Sequence, residues 1–416
     1  MQKSGGAAIP MELNFNELQF HIGSRKTVER MPELPAGRPF EEERIAFLNE
    51  VSKRLLSDKE AKAYSDVVTF AFWIRKANME KEKSAFLSEH RLRMGRGVVF
   101  HIAPSNVAVN YAYSFAAGFV LGNANIVRLP SREFRQTELI NRAVSEVLRQ
   151  EEAYRKWGDY IVFLRYGRKK EINDYFSSIC NVRVIWGGDK AIGEIRKSEL
   201  PPRAGEITFA DRYSICIVDA EEYLNTKDKE RLAQDFYNDT YFTDQNACTS
   251  PRLVCWMGEH KRIEEAKEVF WEKLWETVER KYPFQPVQYV DKLTNSCLAA
   301  AAIEGIQVIR MKDNRIVRIE LEKMTPRIQE YRGDSGVFYE YELGDVMELA
   351  PICNEKLQTI AVWGDEKKVL PLIESGVKGI DRVVKIGKTM EFGFVWDGYD
   401  LRERMTRKIG MQSLKR

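Results

Sequence analysis

A recurring rhythm of short apolar runs narrows the fold more than any single motif. From Gly95 onward, runs of strand length recur at Val98–Ile102, Ile126–Leu129, Ile161–Leu164 and Val182–Trp186, with helix-period segments between them. The clearest helix runs from Thr137 to Gln150. There Leu139, Ile140, Ala143, Val144, Val147 and Leu148 fall at i, i+1, i+4, i+5, i+8 and i+9, one broad apolar stripe that Thr137 can cap. Strands alternating with helices at this pitch predict βαβ units and a parallel sheet with helices on its faces. The runs are apolar through most of their length, as strands covered on both faces must be. The expected fold class is therefore α/β.

A second set of runs follows at Ile215–Val218, Leu253–Trp256, Ile316–Ile319, Val337–Tyr341 and Thr359–Val362. A helix from Lys261 to Tyr282 interrupts it, with Ile263, Ala266, Phe270, Leu274 and Val278 as its apolar stripe. At 416 residues the chain exceeds what one core usually holds. The division expected is an arm over 1–40, a first α/β domain over 41–207, a second over 208–385, and a C-terminal segment over 386–416. The arm is punctuated by Gly5-Gly6, Pro32, Pro35 and Pro39.

Composition excludes some functions. A net charge of +3 with 31% charged residues argues against a nucleic-acid binder or an anionic-membrane binder, which need a concentrated basic face. No stretch approaches the apolar length of a membrane span, and the N-terminus lacks a secretory apolar core. A soluble, cytoplasmic protein without an integral membrane segment is expected. Six cysteines without a CxxC, and four histidines without an HxxxH, predict no metal site.

Three constellations can carry chemistry. In HIAPSNVAVNYAYSFAAGFVLGNANIVRLPSR (101–132), Pro104 ends a strand, and Ser105 or Asn106 either caps the following helix or offers its side chain to a ligand at the sheet's edge. In VRVIWGGDKAIGEIR (182–196), a strand opens into Gly187-Gly188 and a helix with Gly193 one turn in. Such glycines let a pyrophosphate approach a helix N-terminus, although a plain turn reads the same way and GxGxxG is absent. In TYFTDQNACTSPRLVCW (240–256), Cys248 lies in a polar loop before a strand. Cys180, Cys216 and Cys255 fall in or beside apolar strand patterns, so Cys248 ranks first as a nucleophile.

In this order and spacing the three constellations resemble the aldehyde dehydrogenase superfamily. More closely they resemble the acyl-CoA reductase branch known from the bacterial bioluminescence fatty-acid reductase complex. The segments HIAPSNVAVNYAYSFAAGFVLGNANIVRLPS, FYNDTYFTDQNACTSP, KLQTIAVWG and DRVVKIGKTMEFGFVWDGYDL carry that closer match. The resemblance implies a Rossmann-like cofactor domain (41–207) followed by an α/β catalytic domain (208–385), with the C-terminal segment returning to the cofactor domain or to an oligomer interface.

It also implies roles. Cys248 matches the cysteine that takes the acyl group as a thioester, and Asn106 the asparagine whose amide meets the oxyanion. Gly188, Asp189 and Gly193 match the turn that meets the cofactor pyrophosphate, and Arg128 falls where many members place a lysine near the adenosine ribose. Glu348, in ELAPI, matches the glutamate that holds the nicotinamide ribose, one residue out of spacing. His101 is either a proton-transfer group or a strand-end histidine with a structural hydrogen bond. The glutamate base of oxidising members, set in an ELGG-like motif, has no counterpart in GEITFADRYS (205–214), where Glu206 is the candidate displaced into that role.

A missing base suits release of the acyl-enzyme by hydride, which needs no activated water. The expected activity is NAD(P)H-dependent reduction of a fatty acyl thioester to an aldehyde. NADPH is favoured over NADH by Arg128 and Arg132. The expected donor is fatty acyl-CoA or an acylated protein, with an acyl-protein synthetase as partner and a homo-oligomeric state. The alternatives are an aldehyde dehydrogenase forming acids, a silent acyl-carrying subunit, and a reductase of acyl phosphates.

Overall fold

The computed structural model describes residues 13–89, 92–105 and 107–410. It divides into two compact units: residues up to 210 together with 399 onward, and residues 211–398.

The first unit is built on a six-stranded sheet of β1 (Gln19–Ile22), β2 (Val98–Ile102), β3 (Ala124–Arg128), β4 (Ile161–Arg165), β5 (Val182–Trp186) and β6 (Gly205–Phe209). The order is β1-β4-β3-β2-β5-β6, parallel except for β1, which runs antiparallel to β4. Strands β2 and β5 are buried along their whole length, as their largely apolar runs require, with His101 and Arg183 buried among them. The edge strand β1 comes from the segment that sequence patterning set apart as an arm.

The longer helices are α1 (Glu42–Ser57), α2 (Ser65–Trp73), α3 (Lys76–Glu89), α4 (Asn110–Val120), α5 (Arg135–Gln150), α6 (Lys170–Ile179) and α7 (Asp189–Ile195). The stripe read from sequence on α5 is buried in full. Its start is earlier than expected: Phe134 is the N-cap, and Thr137 lies inside the helix with its hydroxyl donating to Ala108 O at 3.1 Å. A distant carbonyl thus takes the oxygen that would have capped. Helix α4 likewise begins at Asn110 behind Val109, which makes no side-chain cap, so Ser105 does not cap it.

Arg44, on α1, is almost wholly buried. Its guanidinium donates to Phe119 O (2.9 Å) and Asn123 O (3.1 Å) and lies over the rings of Phe119, Trp157 and Tyr160. Two carbonyls at and just beyond the C-terminal end of α4 thereby gain a charged donor from a helix far back in the sequence.

The second unit is built on a seven-stranded sheet: β7 (Tyr213–Asp219), β8 (Pro251–Met257), β9 (Ile306–Arg310), β10 (Val317–Leu321), β11 (Val337–Leu343), β12 (Leu357–Trp363) and β13 (Arg382–Lys385). Their order is β9-β10-β11-β8-β7-β12-β13, parallel except for β9. Ile215, Ile217, Leu253 and Cys255 face one core, and Cys216, Val218, Val254 and Trp256 the other. Helices α8 (Lys229–Thr240) and α9 (His260–Lys281) cover the second face, α9 through the apolar stripe expected for it. Helix α10 (Pro286–Ala302) follows.

Candidate active site

The cysteine loop leaves α8 and enters β8 through a backbone that few residues adopt. Asp244 and Gln245 both take left-handed φ, at 51° and 58°. Two such residues in a row cost free energy that the surroundings must offset. The Gln245 side chain does so. Its Nε2 donates to Pro251 O (3.0 Å) and Val337 O (3.1 Å), and its Oε1 accepts from the N–H groups of Gly336 (2.9 Å) and Val337 (3.2 Å). Arg252 donates to Gln245 O at 2.7 Å, and Tyr282 Oη donates to Asp244 at 2.5 Å. The loop is fixed on both sides of Cys248.

Cys248 stands at the N-terminal edge of this sheet, where β7, β8, β12 and β13 lie side by side. Its carbonyl accepts from Ser214 Oγ at 2.7 Å, and its sulfur is half-buried, 3.5 Å from Gln358 Nε2. Gln358 is buried at the start of β12, where the pairing register with β7 shifts between Leu357 and Thr359. A register shift of this kind re-aims a side chain. The same amide nitrogen donates to Asp397, a buried carboxyl on a residue of φ 49°.

Burial pushes the Cys248 thiol up to about 11, with the Asp397 charge adding to the effect and Gln358 and Arg212 opposing it. Burial also pushes Asp397 up to about 7, against the pull of Arg212 and Arg382. At neutral pH the resting cysteine is a thiol beside a carboxyl poised between its two forms. The remaining cysteines differ. Cys180, Cys216, Cys255 and Cys353 are buried with thiols pushed up by desolvation, and Cys297 is exposed on α10.

In the first unit, Arg128, the end of β2 and the Gly187-Gly188 turn share the C-terminal edge of the sheet, since Ile102 pairs with both Arg128 and Ile185. The strand order reverses there: β3 and β4 lie to one side of β2, β5 and β6 to the other. Such a reversal opens a crevice at the carboxyl ends of the strands. Arg128 lies over the Tyr166 ring and donates to Tyr166 O and Gly167 O, both at 3.4 Å. Gly188 caps α7, which Asp189 opens. A Cβ on Gly188 or Gly193 would meet nothing within 4 Å, so neither glycine is demanded by the packing around it.

His101 is wholly buried on β2, one residue before its end. Trp186 Nε1 donates to Ser114 Oγ (3.3 Å), Ser114 lies 2.7 Å from His101 Nδ1, and His101 Nε2 lies 3.0 Å from Asn125 Oδ1. Burial pushes the imidazole down to about 4, so it stays neutral. Gly118 makes room for it: a Cβ there would lie 2.2 Å from Asn125 Oδ1. The geometry favours the structural hydrogen bond over proton transfer.

A profile of the acyl-CoA reductase (LuxC) family matches residues 77–408. The chain belongs to that family. Long-chain acyl-protein thioester reductases are similar to it: that of Vibrio harveyi is 23% identical over 296 residues, 70% of this chain and 59% of the relative. That of Photorhabdus luminescens is 27% identical over 240 residues, 55% of this chain and 46% of the relative. The chain thus matches less than two thirds of the length of either. Among solved structures, an NAD-dependent benzaldehyde dehydrogenase from Corynebacterium glutamicum superposes with a TM-score of 0.62 at 16% identity, over 95% of this chain and 94% of that one. Aldehyde dehydrogenase 21 from Physcomitrella patens gives 0.64 at 16% identity, over 94% and 89%. The fold is that of the aldehyde dehydrogenases.

Other positions singled out in this LuxC-family chain fall as follows. Asn106 lies outside the described residues. Glu348 has its carboxylate engaged by the N–H groups of Gly344 (3.0 Å) and Asp345 (2.8 Å) and by Tyr341 Oη (2.5 Å). Glu206 is held by Arg183 at 2.6 Å and Arg196 at 2.7 Å. His260, Glu264 and Glu342 form an exposed grouping, with the Lys267 ammonium 2.9 Å from both carboxylates. Among the described residues, no helix is long and apolar enough to cross a membrane. Sequence reading missed Gln245, Gln358 and Asp397. Gln245 and Asp397 lie inside quoted motifs, and Gln358 lies in KLQTIAVWG, but nothing local marks their polar side chains as partners of the cysteine loop.

Proposed function

We propose that this chain reduces a long-chain acyl thioester to an aldehyde, with Cys248 as nucleophile. The observation that carries the reading is the setting of Cys248: the one cysteine of a polar, braced loop, half-buried, with an amide N–H directed at its sulfur. Membership of the LuxC family and the names of its relatives point the same way. In the first step the sulfur bonds to the acyl carbon, the donor C–S bond breaks, and the donor sulfur takes the proton that Cys248 gives up. Oxyanion stabilisation falls to Asn106 and the Cys248 backbone N–H.

A reduced nicotinamide, when bound, supplies the hydride that converts the acyl-enzyme to aldehyde. The residues to hold it are Arg128, Gly188, Asp189 and Gly193 at the sheet edge of the first unit. The open space above both glycines fits a pyrophosphate brought close to the backbone. Arg128 favours NADPH over NADH. The engagement of Glu206 by two guanidiniums supports reduction over oxidation, because a carboxylate so paired is a poor base for activating water. The donor is an acylated protein or acyl-CoA, and a homo-oligomer with an acyl-protein synthetase as partner completes the proposal.

Incubation with radiolabelled long-chain acyl-CoA, followed by NADPH, tests the reading. Covalent label on wild type but not on Cys248→Ala, discharged as aldehyde on reduction, is expected. Label retained by Cys248→Ala would overturn the nucleophile, and label discharged as acid would overturn the direction.

A further inference from the structure

Gln358 has two amide hydrogens and one carbonyl oxygen, and the structure gives each a direction. The nitrogen donates to Asp397 and lies 3.5 Å from the Cys248 sulfur, and Thr359 Oγ1 donates to the amide oxygen at 3.3 Å. With a carboxyl oxygen of Asp397 accepting on one side and a hydroxyl donating on the other, the amide has one favourable orientation. Turned over, it would set oxygen against carboxylate oxygen. One N–H is therefore committed to Asp397 and the other is left for the sulfur. Because Gln358 is fully buried, water does not compete for either.

Asp397 is held in turn. It and Gly398 take left-handed φ, 49° and 71°, and a Cβ on Gly398 would lie 2.7 Å from Asp381 Oδ1, so the turn is seated against Asp381. Asp381 pairs with Arg212. The charged groups facing Asp397 are Arg212 before β7, and Asp381 and Arg382 at the start of β13. Arg382 also acts on Cys248 and Asp239, and its guanidinium covers the Trp396 ring.

We propose that Gln358 donates a hydrogen bond to the Cys248 sulfur whenever that sulfur carries negative charge, and that Asp397 is the positioning residue that keeps its amide turned to do so. The role rests on the reading of Cys248 as nucleophile. Charge builds on the sulfur twice: as the thiol gives up its proton to attack the acyl carbon, and as the C–S bond to the reduced acyl carbon breaks and the sulfur leaves. A donor fixed at the sulfur serves both halves. The two partners oppose each other electrostatically, since the Gln358 N–H favours the thiolate and the Asp397 carboxylate disfavours it.

That opposition is the test. The rate of iodoacetamide alkylation at Cys248 is followed against pH in the full chain, with peptide mass spectrometry reading the site. Gln358→Met keeps the shape and removes the donor. It should displace the alkylation profile to higher pH, slowing the reaction at pH 8 roughly ten-fold if the displacement is about one pH unit. Asp397→Asn keeps an oxygen to accept from Gln358 and removes the charge, so its profile should move to lower pH with faster alkylation. Aldehyde turnover by Gln358→Met should fall in kcat with KM little changed. If Gln358→Met does not fold, Gln358→Asn, whose shorter amide cannot reach the sulfur, should show the same upward displacement. Displacement of both variants in one direction, or of neither, would overturn the proposal. Alkylation needs neither acyl donor nor nicotinamide, so failure of the acyl-labelling experiment is a separate result.

Discussion

Each unit of this LuxC-family chain buries a polar cluster built around one titratable side chain, His101 in the first and Asp397 in the second. Burial holds both toward their neutral forms, yet the clusters differ in kind. The chain Trp186–Ser114–His101–Asn125 gives each ring nitrogen of His101 a neutral partner. The Cys248–Gln358–Asp397 cluster ends on a half-buried sulfur and is ringed by Arg212, Asp381 and Arg382. His101 falls to about 4, outside the range in which an enzyme works, whereas Asp397 rises to about 7, inside it. Burial alone does not mark a functional group. What separates the two is whether the network closes on itself and where its proton comes off.

The largest expected effect would come from opening the closed network. His101→Leu leaves Ser114 and Asn125 Oδ1 without their partner in a dry interior. Two such losses predict about 4 kcal/mol of destabilisation in urea unfolding. A loss below about 1 kcal/mol would show that the cluster is less closed than its distances imply.

Next in size are opposite pH slopes. His101 binds a proton more weakly folded than unfolded, so its stabilising contribution is complete above pH 6.5 and is lost as pH falls toward 4. Asp397 binds its proton more tightly folded than unfolded. Its contribution is complete below 3.8 and is lost as pH rises through about 7. Hydrogen exchange, corrected for its intrinsic pH dependence, reads the two locally. Protection of β2 should rise between pH 4 and 6.5, while that of β12 should fall between pH 4 and 7. Asp397→Asn should flatten the second slope without abolishing it, because buried Asp239 is also pushed up to about 7. Slopes of one sign in both units would break the comparison.

The smallest effect concerns the cofactor edge of the first unit. Arg128→Ala should raise the KM for NADPH about ten-fold and leave that for NADH nearly unchanged, a difference of about 1.4 kcal/mol. Equal changes would remove the basis for the NADPH preference.

How far the sequence could be read follows from the same physics. Runs such as Val98–Ile102 and Val182–Trp186 are apolar at every position or nearly so, and they form strands with the bounds their pattern suggests. Strands β6, β9 and β13 escaped notice because Gly205-Glu206, Gln307 and the charged ends of β13 interrupt the apolar signal. Cys248 was legible because its polar loop is local. Gln358 was not: it lies 110 residues from Cys248 and 39 from Asp397, and only the side-by-side placement of β7, β8 and β12 brings the three together. Thr137 misled for a related reason. Its hydroxyl has the chemistry of a cap, but Ala108 O, 29 residues earlier, claims it.

The match to the LuxC family begins at residue 77, and Arg44 shows that this is no seam in the molecule. A fragment trimmed to the matched span would lose the guanidinium that plugs the end of α4. Phe119 O and Asn123 O would each lose a donor, and the rings of Phe119, Trp157 and Tyr160 the cation that covers them. Anyone shortening this chain for expression should therefore keep α1, which carries that guanidinium.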